Sequence, residues 1–331
     1  MSRSFRLAAL TAVTSVAAGL LCLPGAAHAA AAVEEPVTLS AAEMVTALTS
    51  VAVSSTAAAA EGWRITESVS SPWASAAGEY AVDPAGGVAY EHDTYGGTAR
   101  TKYAVHHRGT YETLSTVSAR AAVKMMNRPA VRYVVEPDPA LDLDGYVDRR
   151  GFRPSELLTK DVSYPGTRTT HDDGSADFTF SPETDTSITF VVTPAGVLSG
   201  ARVAAGDVSG SLTFTYGAQH LTPPAASTTI TSVVLARGEA YLSMAATVKK
   251  VVGDGAITIR RTAAGHTVRA TSVRKVVRSL AGDANKRAGS AMVRVEDIRD
   301  GARVYATNPW THVTVAYTVK GSGTKVVVRK L

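Results

Sequence analysis

A single cysteine, Cys22, occurs in 331 residues. It lies inside an apolar N-terminal run, so a chain processed after that run carries no thiol. Disulfides, thiolate nucleophiles and cysteine-based zinc sites are then excluded. Aromatic residues make up only 6% of the chain, which points to a core of small and β-branched side chains rather than stacked rings. Histidine is sparse, with eight in all including His28, and no spacing brings three or four of them toward one metal. No metal and no cofactor is expected. No apolar run of spanning length, about 20 residues, recurs after residue 30. The chain beyond that point is expected to be soluble and extracellular.

The N-terminus has the three parts of a secretory signal. Arg3 and Arg6 supply positive charge, Leu7 to Leu23 is apolar, and Ala27-His28-Ala29 gives the small-x-small pattern of a cleavage site. Residues 1–29 are read as a signal peptide cleaved before Ala30. A lipoprotein signal would place small residues directly before its cysteine, but Leu20 and Leu21 stand there, so the chain is not expected to be a lipoprotein. Residues 30–37 read as a flexible leader.

The remaining length suits one large or two smaller domains, and charge divides it. Residues 30–225 carry 14 Lys+Arg and 23 Asp+Glu, whereas residues 226–331 carry 18 and 6. Such a break argues for two modules with different surfaces.

In the first module, Ser40 precedes Ala41-Ala42-Glu43 as in a capping box, and Met44, Leu48 and Val51 recur at helical spacing. A helix is expected over 41–52. Strands follow over 62–70, 78–83, 87–93, 100–107 and 110–115, with Asp83-Pro-Ala-Gly-Gly and Arg108-Gly109 as turns. A helix over 117–127 is stopped by Arg128-Pro129. Val131, Tyr133 and Val135 lie on a strand, residues 136–152 read as a loop, and Pro154 opens a short helix through Lys160. Strands over 175–181, 187–193, 197–204 and 209–217 follow, with a Pro194-Ala195-Gly196 turn, and Leu221-Thr-Pro-Pro leads into a linker over 225–232. The second module, 233–331, is read as a helix over 233–251 ending at Gly253, a hairpin of 256–261 with 266–271, a basic helix from Ser272 to Leu280, and strands over 291–297, 302–306, 311–319 and 324–330.

The order of elements over 38–224, the Asp-Pro-Ala-Gly-Gly and Thr-Pro-Ala-Gly turns, and the ending Phe214-Thr-Tyr-Gly-Ala-Gln-His-Leu-Thr-Pro-Pro resemble the lipid-carrier superfamily of LolA-type carriers and LppX- and LprG-type lipoproteins. The resemblance implies an α+β fold, an incomplete antiparallel β-barrel with helices on its concave face and an apolar cavity for acyl chains. The basic module 233–331 has no counterpart in that family. Under this reading Met44, Leu48, Val131, Tyr133, Val135, Phe178, Phe180, Ile188, Phe190, Val192, Leu212, Phe214 and Tyr216 are candidate cavity-lining residues. Their one-sided alternation equally suits a filled core.

Catalytic patterns fail one by one. His106-His107 on a strand would point to opposite faces. Asp142-Leu-Asp144-Gly145 with Asp148 is a fragment of a calcium loop without its bidentate glutamate, and reads as an acidic surface loop. Gly206-Asp-Val-Ser209-Gly places serine one position late for a nucleophile elbow, and Gly321-Ser-Gly-Thr-Lys325 is too short for a phosphate loop. No catalytic residue is assigned and no enzyme is expected. Arg274, Lys275, Arg278, Lys286 and Arg287 are candidate anion-binding residues on or near the basic helix. The sequence therefore reads as a secreted, non-enzymatic carrier or binding protein for a lipid or other apolar ligand. The alternative is a cell-surface scaffold whose basic module grips an anionic wall polymer or membrane surface. Nucleic acid is not expected as a partner outside the cell. N-terminal sequencing of the chain secreted by an exporting host should read Ala30 first; an intact Met1 or an acylated Cys22 would refute the processing inferred here.

Overall fold

The computed structural model describes residues 35–151, 153–160 and 162–331; the expected signal peptide and residues 30–34 of the leader lie outside the described residues. The chain forms two compact units. The first joins the residues up to Glu112 with Pro137–Pro223, and the second joins Thr113–Glu136 with Pro224–Leu331. Both are α+β. Among the described residues no helix is long and apolar enough to cross a membrane.

The first unit is built on β1 (Val37–Leu39), β2 (Trp63–Ser70), β3 (Ser75–Asp83), β4 (Val88–Tyr95), β5 (Thr98–Val105) and β6 (Gly109–Thr113). After the second unit's β7 (Tyr133–Pro137) it adds β8 (Gly166–Thr170), β9 (Ala176–Glu183), β10 (Thr186–Val192), β11 (Leu198–Ala205) and β12 (Val208–Tyr216). These strands lie in the order β1-β8-β9-β10-β11-β12-β2-β3-β4-β5-β6 and pair antiparallel, with β1 and β6 at opposite ends of the order. Two hairpins turn where the sequence placed them: Gly87 (φ 65°) and Gly196 (φ 76°) take the left-handed backbone that glycine tolerates without strain. The Asp83 carboxylate accepts the Gly86 N–H at 2.8 Å and tightens the first of these turns.

One face of this sheet carries α1 (Ala41–Ala58). Its capping box is formed: the Ser40 N–H donates to Glu43 Oε2 at 2.8 Å, and the Ser40 hydroxyl caps the Glu43 N–H. Hydrogen bonds from the Ser40 hydroxyl and then the Ser40 N–H hold the Glu43 carboxyl below its ordinary pKa. The helix runs six residues beyond the expected 52, because no breaker occurs before Gly62 and Ser55 continues the buried stripe. Met44 and Leu48 are fully buried. They pack with Phe178, Phe180, Phe190 and Phe214 in the main core.

Three short elements escaped the sequence reading. Residue 37 of the expected leader begins β1, which pairs with β8; β1 is too short and β8 too polar to show alternation. The expected loop 136–152 contains α3 (Leu143–Arg150), and the short helix expected from Pro154 follows as α4 (Pro154–Thr159). The signals of α3 were present. Asp142 caps it by accepting from the Gly145 N–H at 2.8 Å, Arg149 and Arg150 occupy the last turn, and Gly151 closes it at φ 65°. The supposed calcium fragment is therefore a helix cap, with Asp144 and Asp148 paired to Arg153.

The second unit combines α2 (Val117–Met125) and β7 with β13 (Thr229–Thr231), α5 (Ser232–Leu242), α6 (Met244–Ala263) and α7 (Ala270–Arg287). It ends in the antiparallel meander β14 (Arg294–Ile298), β15 (Gly301–Thr307), β16 (Thr314–Ser322) and β17 (Lys325–Lys330). The expected linker 225–232 contains β13, which runs parallel to β7 with Val134 opposite Ile230. The expected hairpin of 256–261 with 266–271 is instead the end of α6 and the start of α7. The β-branched run Ile257-Thr-Ile259 suggested alternation, but the buried positions Val248, Val252, Ala256 and Ile259 follow a helical period. α7 likewise continues past Leu280 to Arg287 through Gly282. Gly238 inside α5 packs closely on the residue that follows α2: a Cβ there would lie 2.8 Å from the Met126 methyl.

Substituting Leu48→Ala should destabilise the first unit by about 2–5 kcal/mol, whereas Val53→Ala, at a position 68% exposed on the same helix, should change it by at most about 0.5 kcal/mol. Hydrogen exchange of the β9–β12 amides reads this unit separately; equal effects of the two substitutions would contradict the assigned helix face.

Candidate functional site

The face of the sheet that meets α1 changes character along its rows. Cross-strand register sets Phe178, Phe190, Ala201, Leu212, Glu67, Gly78 and Asp93 side by side. A neighbouring row runs Phe214, Ile65, Tyr80, Glu91 and Lys102. Strands β9–β12 thus present apolar side chains, and charged ones enter the same surface on β2, β4 and β5.

Between this surface and the α3–α4 segment lies a cavity of about 460 Å³. That volume falls in the range of small-molecule sites, about 300–1,000 Å³. Phe180, Ile188, Phe190, Val203, Leu212 and Val69 form its apolar wall, and Leu157, Val162 and Tyr164 close it from the helix side. Tyr164 stacks on Phe180 with the ring planes 6° apart. The other end is lined by Glu67, Tyr80, Glu91 and Asp93 from the sheet, with Arg149, Arg150, Glu156 and Lys160 from the helices. Gly78 leaves room here: a Cβ on it would lie 3.3 Å from Glu67 Oε2 and 3.4 Å from Asp93 Oδ1.

The polar end is organised by one ion pair. Glu91 is 6% exposed, and Arg150 Nη2 reaches both of its carboxylate oxygens. Burial would lower the pKa of Arg150, but the Glu91 charge outweighs it and holds the guanidinium above its ordinary value. Lys102, across the strand from Glu91, is shifted down by burial and then by the charge of Arg150. Burial drives the Tyr80 hydroxyl far above the ordinary tyrosine range, and Tyr146 and Glu91 add to the shift. This corner accordingly keeps Tyr80 neutral and Arg150 charged.

The candidate lining residues separate into three groups. Phe180, Ile188, Phe190 and Leu212 line the cavity. Met44, Leu48, Phe178, Val192 and Phe214 fill the core around it, and Tyr216 packs against that core. The Tyr216 hydroxyl donates to the Leu198 carbonyl at 2.7 Å, and burial pushes its pKa up to about 12. Val131, Tyr133 and Val135 belong to the second unit, where Val131 packs with Ala122, Ile230 and Leu235. They line no part of this cavity, because the strand they suggested pairs with β13. Sequence reading missed the charged end altogether. Its residues lie on strands whose apolar alternation lapses at Glu67, Gly78 and Asp93, and on a helix taken for a loop.

A wider, open depression of about 900 Å³ lies over the far ends of β2, β3, β10, β11 and β12, lined chiefly by serine, alanine and threonine. It lacks the aromatic wall of the smaller cavity and offers little to an apolar ligand.

His106 and His107 follow β5 in a turn rather than lying on a strand, so their rings meet, with centroids 3.8 Å apart. Among the described residues no group of three or more His, Cys, Asp or Glu is placed to hold a metal. In the second unit, Arg274 donates to the Ile298 carbonyl at 2.7 Å and to the Gly301 carbonyl at 3.1 Å, and Arg278 pairs with Asp297 at 2.7 Å. Both are spent on holding α7 to the sheet. Lys275, Lys286 and Arg287 are exposed.

No family model and no curated protein matches the chain. Among solved structures, the chain is similar to the lipoprotein LppX of Mycobacterium tuberculosis, with 10% identity over 54% of this chain and 98% of that one at a TM-score of 0.30. It is also similar to a DUF1329 family protein from Desulfovibrio piger, with 10% identity over 54% and 95% of the two chains at a TM-score of 0.24.

Replacing Arg150 by Ala should destabilise the first unit by about 3 kcal/mol, because Glu91 then keeps a buried charge without this partner. The double replacement Glu91→Gln with Arg150→Met should cost less than Arg150→Ala alone. A double-mutant cycle by denaturant unfolding checks both; additive losses would show that the pair does not act as a unit.

Proposed function

We propose that the chain is an exported, non-enzymatic carrier or binding protein whose first unit is a half-barrel holding a lipid or other apolar ligand. The single observation that carries this reading is the 460 Å³ cavity with its wall of Phe180, Ile188, Phe190 and Leu212. A sheet that filled its inner face with side chains would leave no such volume, since protein interiors pack to crystal-like density. An apolar hollow of this size is stabilised by an apolar occupant rather than by water, which needs polar partners. The charged end sits where the polar end of an amphiphile would lie, and Arg150 and Glu91 are already neutralised against each other there. The N-terminal pattern of Arg3, the apolar run and Ala27-His-Ala supports export.

Native mass spectrometry of the full chain, with solvent extraction of what it releases, tests the reading. The protein should carry or take up a pyrene-labelled fatty acid saturably. Ile188→Trp with Leu212→Trp, which fills the cavity, should weaken uptake at least about tenfold while leaving the far-UV dichroism unchanged. A wild-type chain that is empty and takes up no probe would overturn it.

A further inference from the structure

The carrier reading uses the first unit alone. The second carries a surface it does not explain. Helices α6 and α7 cover one side of the β14–β17 sheet, packing on Val304, Val319 and Val326. Register fixes what points the other way. One row runs Glu296, Arg303, Thr318, Arg329, and the next runs Ile298, Gly301, Lys320, Val327. Arg294, two residues from Glu296, and Lys325, two residues from Val327, fall on the same side by strand alternation. Five cations therefore share one sheet face with a single acid. Glu296 engages only Arg303, at 3.3 Å, and the Arg303 guanidinium lies over the Tyr305 ring, 4.9 Å from its centroid. Arg294, Lys325 and Arg329 are exposed.

The edge strand adds a second observation. Val327, on the open face between Lys325 and Arg329, is 47% exposed, whereas Val328, 39% exposed, pairs with Val319 and points to the helix side. Cations on an edge strand discourage pairing with other chains, but exposed valines work against that purpose. Cations flanking an exposed apolar side chain suit a bilayer boundary, where the charges meet anionic headgroups and the apolar group enters the acyl margin. A hydrophilic polyanion would use the cations and give Val327 nothing.

We propose that the open face and free β17 edge of the four-stranded sheet dock on an anionic lipid bilayer. This rests on the second unit and does not require the cavity of the first to be filled. The test is co-sedimentation of the full chain with vesicles of phosphatidylcholine alone or with about one-third phosphatidylglycerol, at about 50 and 500 mM salt. Binding should require phosphatidylglycerol and fall steeply with salt. Each neutralised cation should cost about fivefold in partitioning, so Lys320→Ala with Lys325→Ala and Arg329→Ala should cost about a hundredfold. Val327→Ser should weaken binding at unchanged charge. The α7 variant Lys275→Ala with Lys286→Ala and Arg287→Ala should stay within about threefold of the parent. Single Lys325→Ala and Arg329→Ala variants carry the test if the triple variant does not fold. Absence of binding at low salt, or an equal loss in the α7 variant, would overturn the proposal. So would a serine variant that binds unchanged while soluble heparin competes fully, since that marks a polyanion site.

Discussion

An open antiparallel sheet cannot leave a broad apolar face in water, and the first unit depends on how that face is covered. α1 does most of it, lowering Met44 and Leu48 onto the phenylalanines of β9, β10 and β12. Other features follow from this contact. Gly166 of β8 is a glycine where a Cβ would lie 2.6 Å from the Met44 methyl and 2.2 Å from the Thr179 carbonyl. Ser55, fully buried in the fourth turn of α1, accepts the Leu198 N–H at 3.0 Å and ties the helix to β11. Where the helix cover ends, α4 and the segment through Tyr164 take over at a greater distance, and the cavity is the space left between.

The same contact explains what was legible in the sequence. Ser40 with Glu43, and the recurrence of Met44, Leu48 and Val51, are local signals written within one turn or two, and α1 was readable from them. So were the strands that alternate cleanly around Phe178, Phe190 and Phe214, and the turns with proline and glycine. Readings failed where the signal was short or ambiguous. Ile257-Thr-Ile259 looks like a strand over three residues and like a helix only over twelve. β1 and β13 have three residues each, too few for any period to show. Val131, Tyr133 and Val135 have the right pattern but the wrong destination, because pattern specifies that a strand buries one face and not which core receives it.

The apolar wall lies on strands that were legible beforehand, and the charged end was not. Glu91 carries no local mark of burial; it lies in Tyr-Glu-His-Asp, which reads as a solvated strand. Its counterion Arg150 is 59 residues away. A buried charge is tolerable only when its partner arrives from elsewhere in the fold, so such a pair becomes visible only in three dimensions. The basic C-terminal region shows the converse. Its charge excess was plain, yet the helix that displayed it most openly spends Arg274 and Arg278 on its own sheet.

The chain passes between its two units three times, because Thr113–Glu136 leaves the first to join the second before Pro137–Pro223 returns. During synthesis α2 and β7 emerge long before Ile230 and Leu235, with which Ala122 and Val131 share a core. Domains that are contiguous in sequence can fold one after the other from the ribosome; this chain cannot. Its N-terminal sheet must tolerate an unfinished excursion with an uncovered apolar stripe until the last third of the chain appears. Folding of the two units is thereby coupled in time, and a break between Pro224 and Ile230 would leave an apolar segment from the middle of the chain without Ile230 and Leu235.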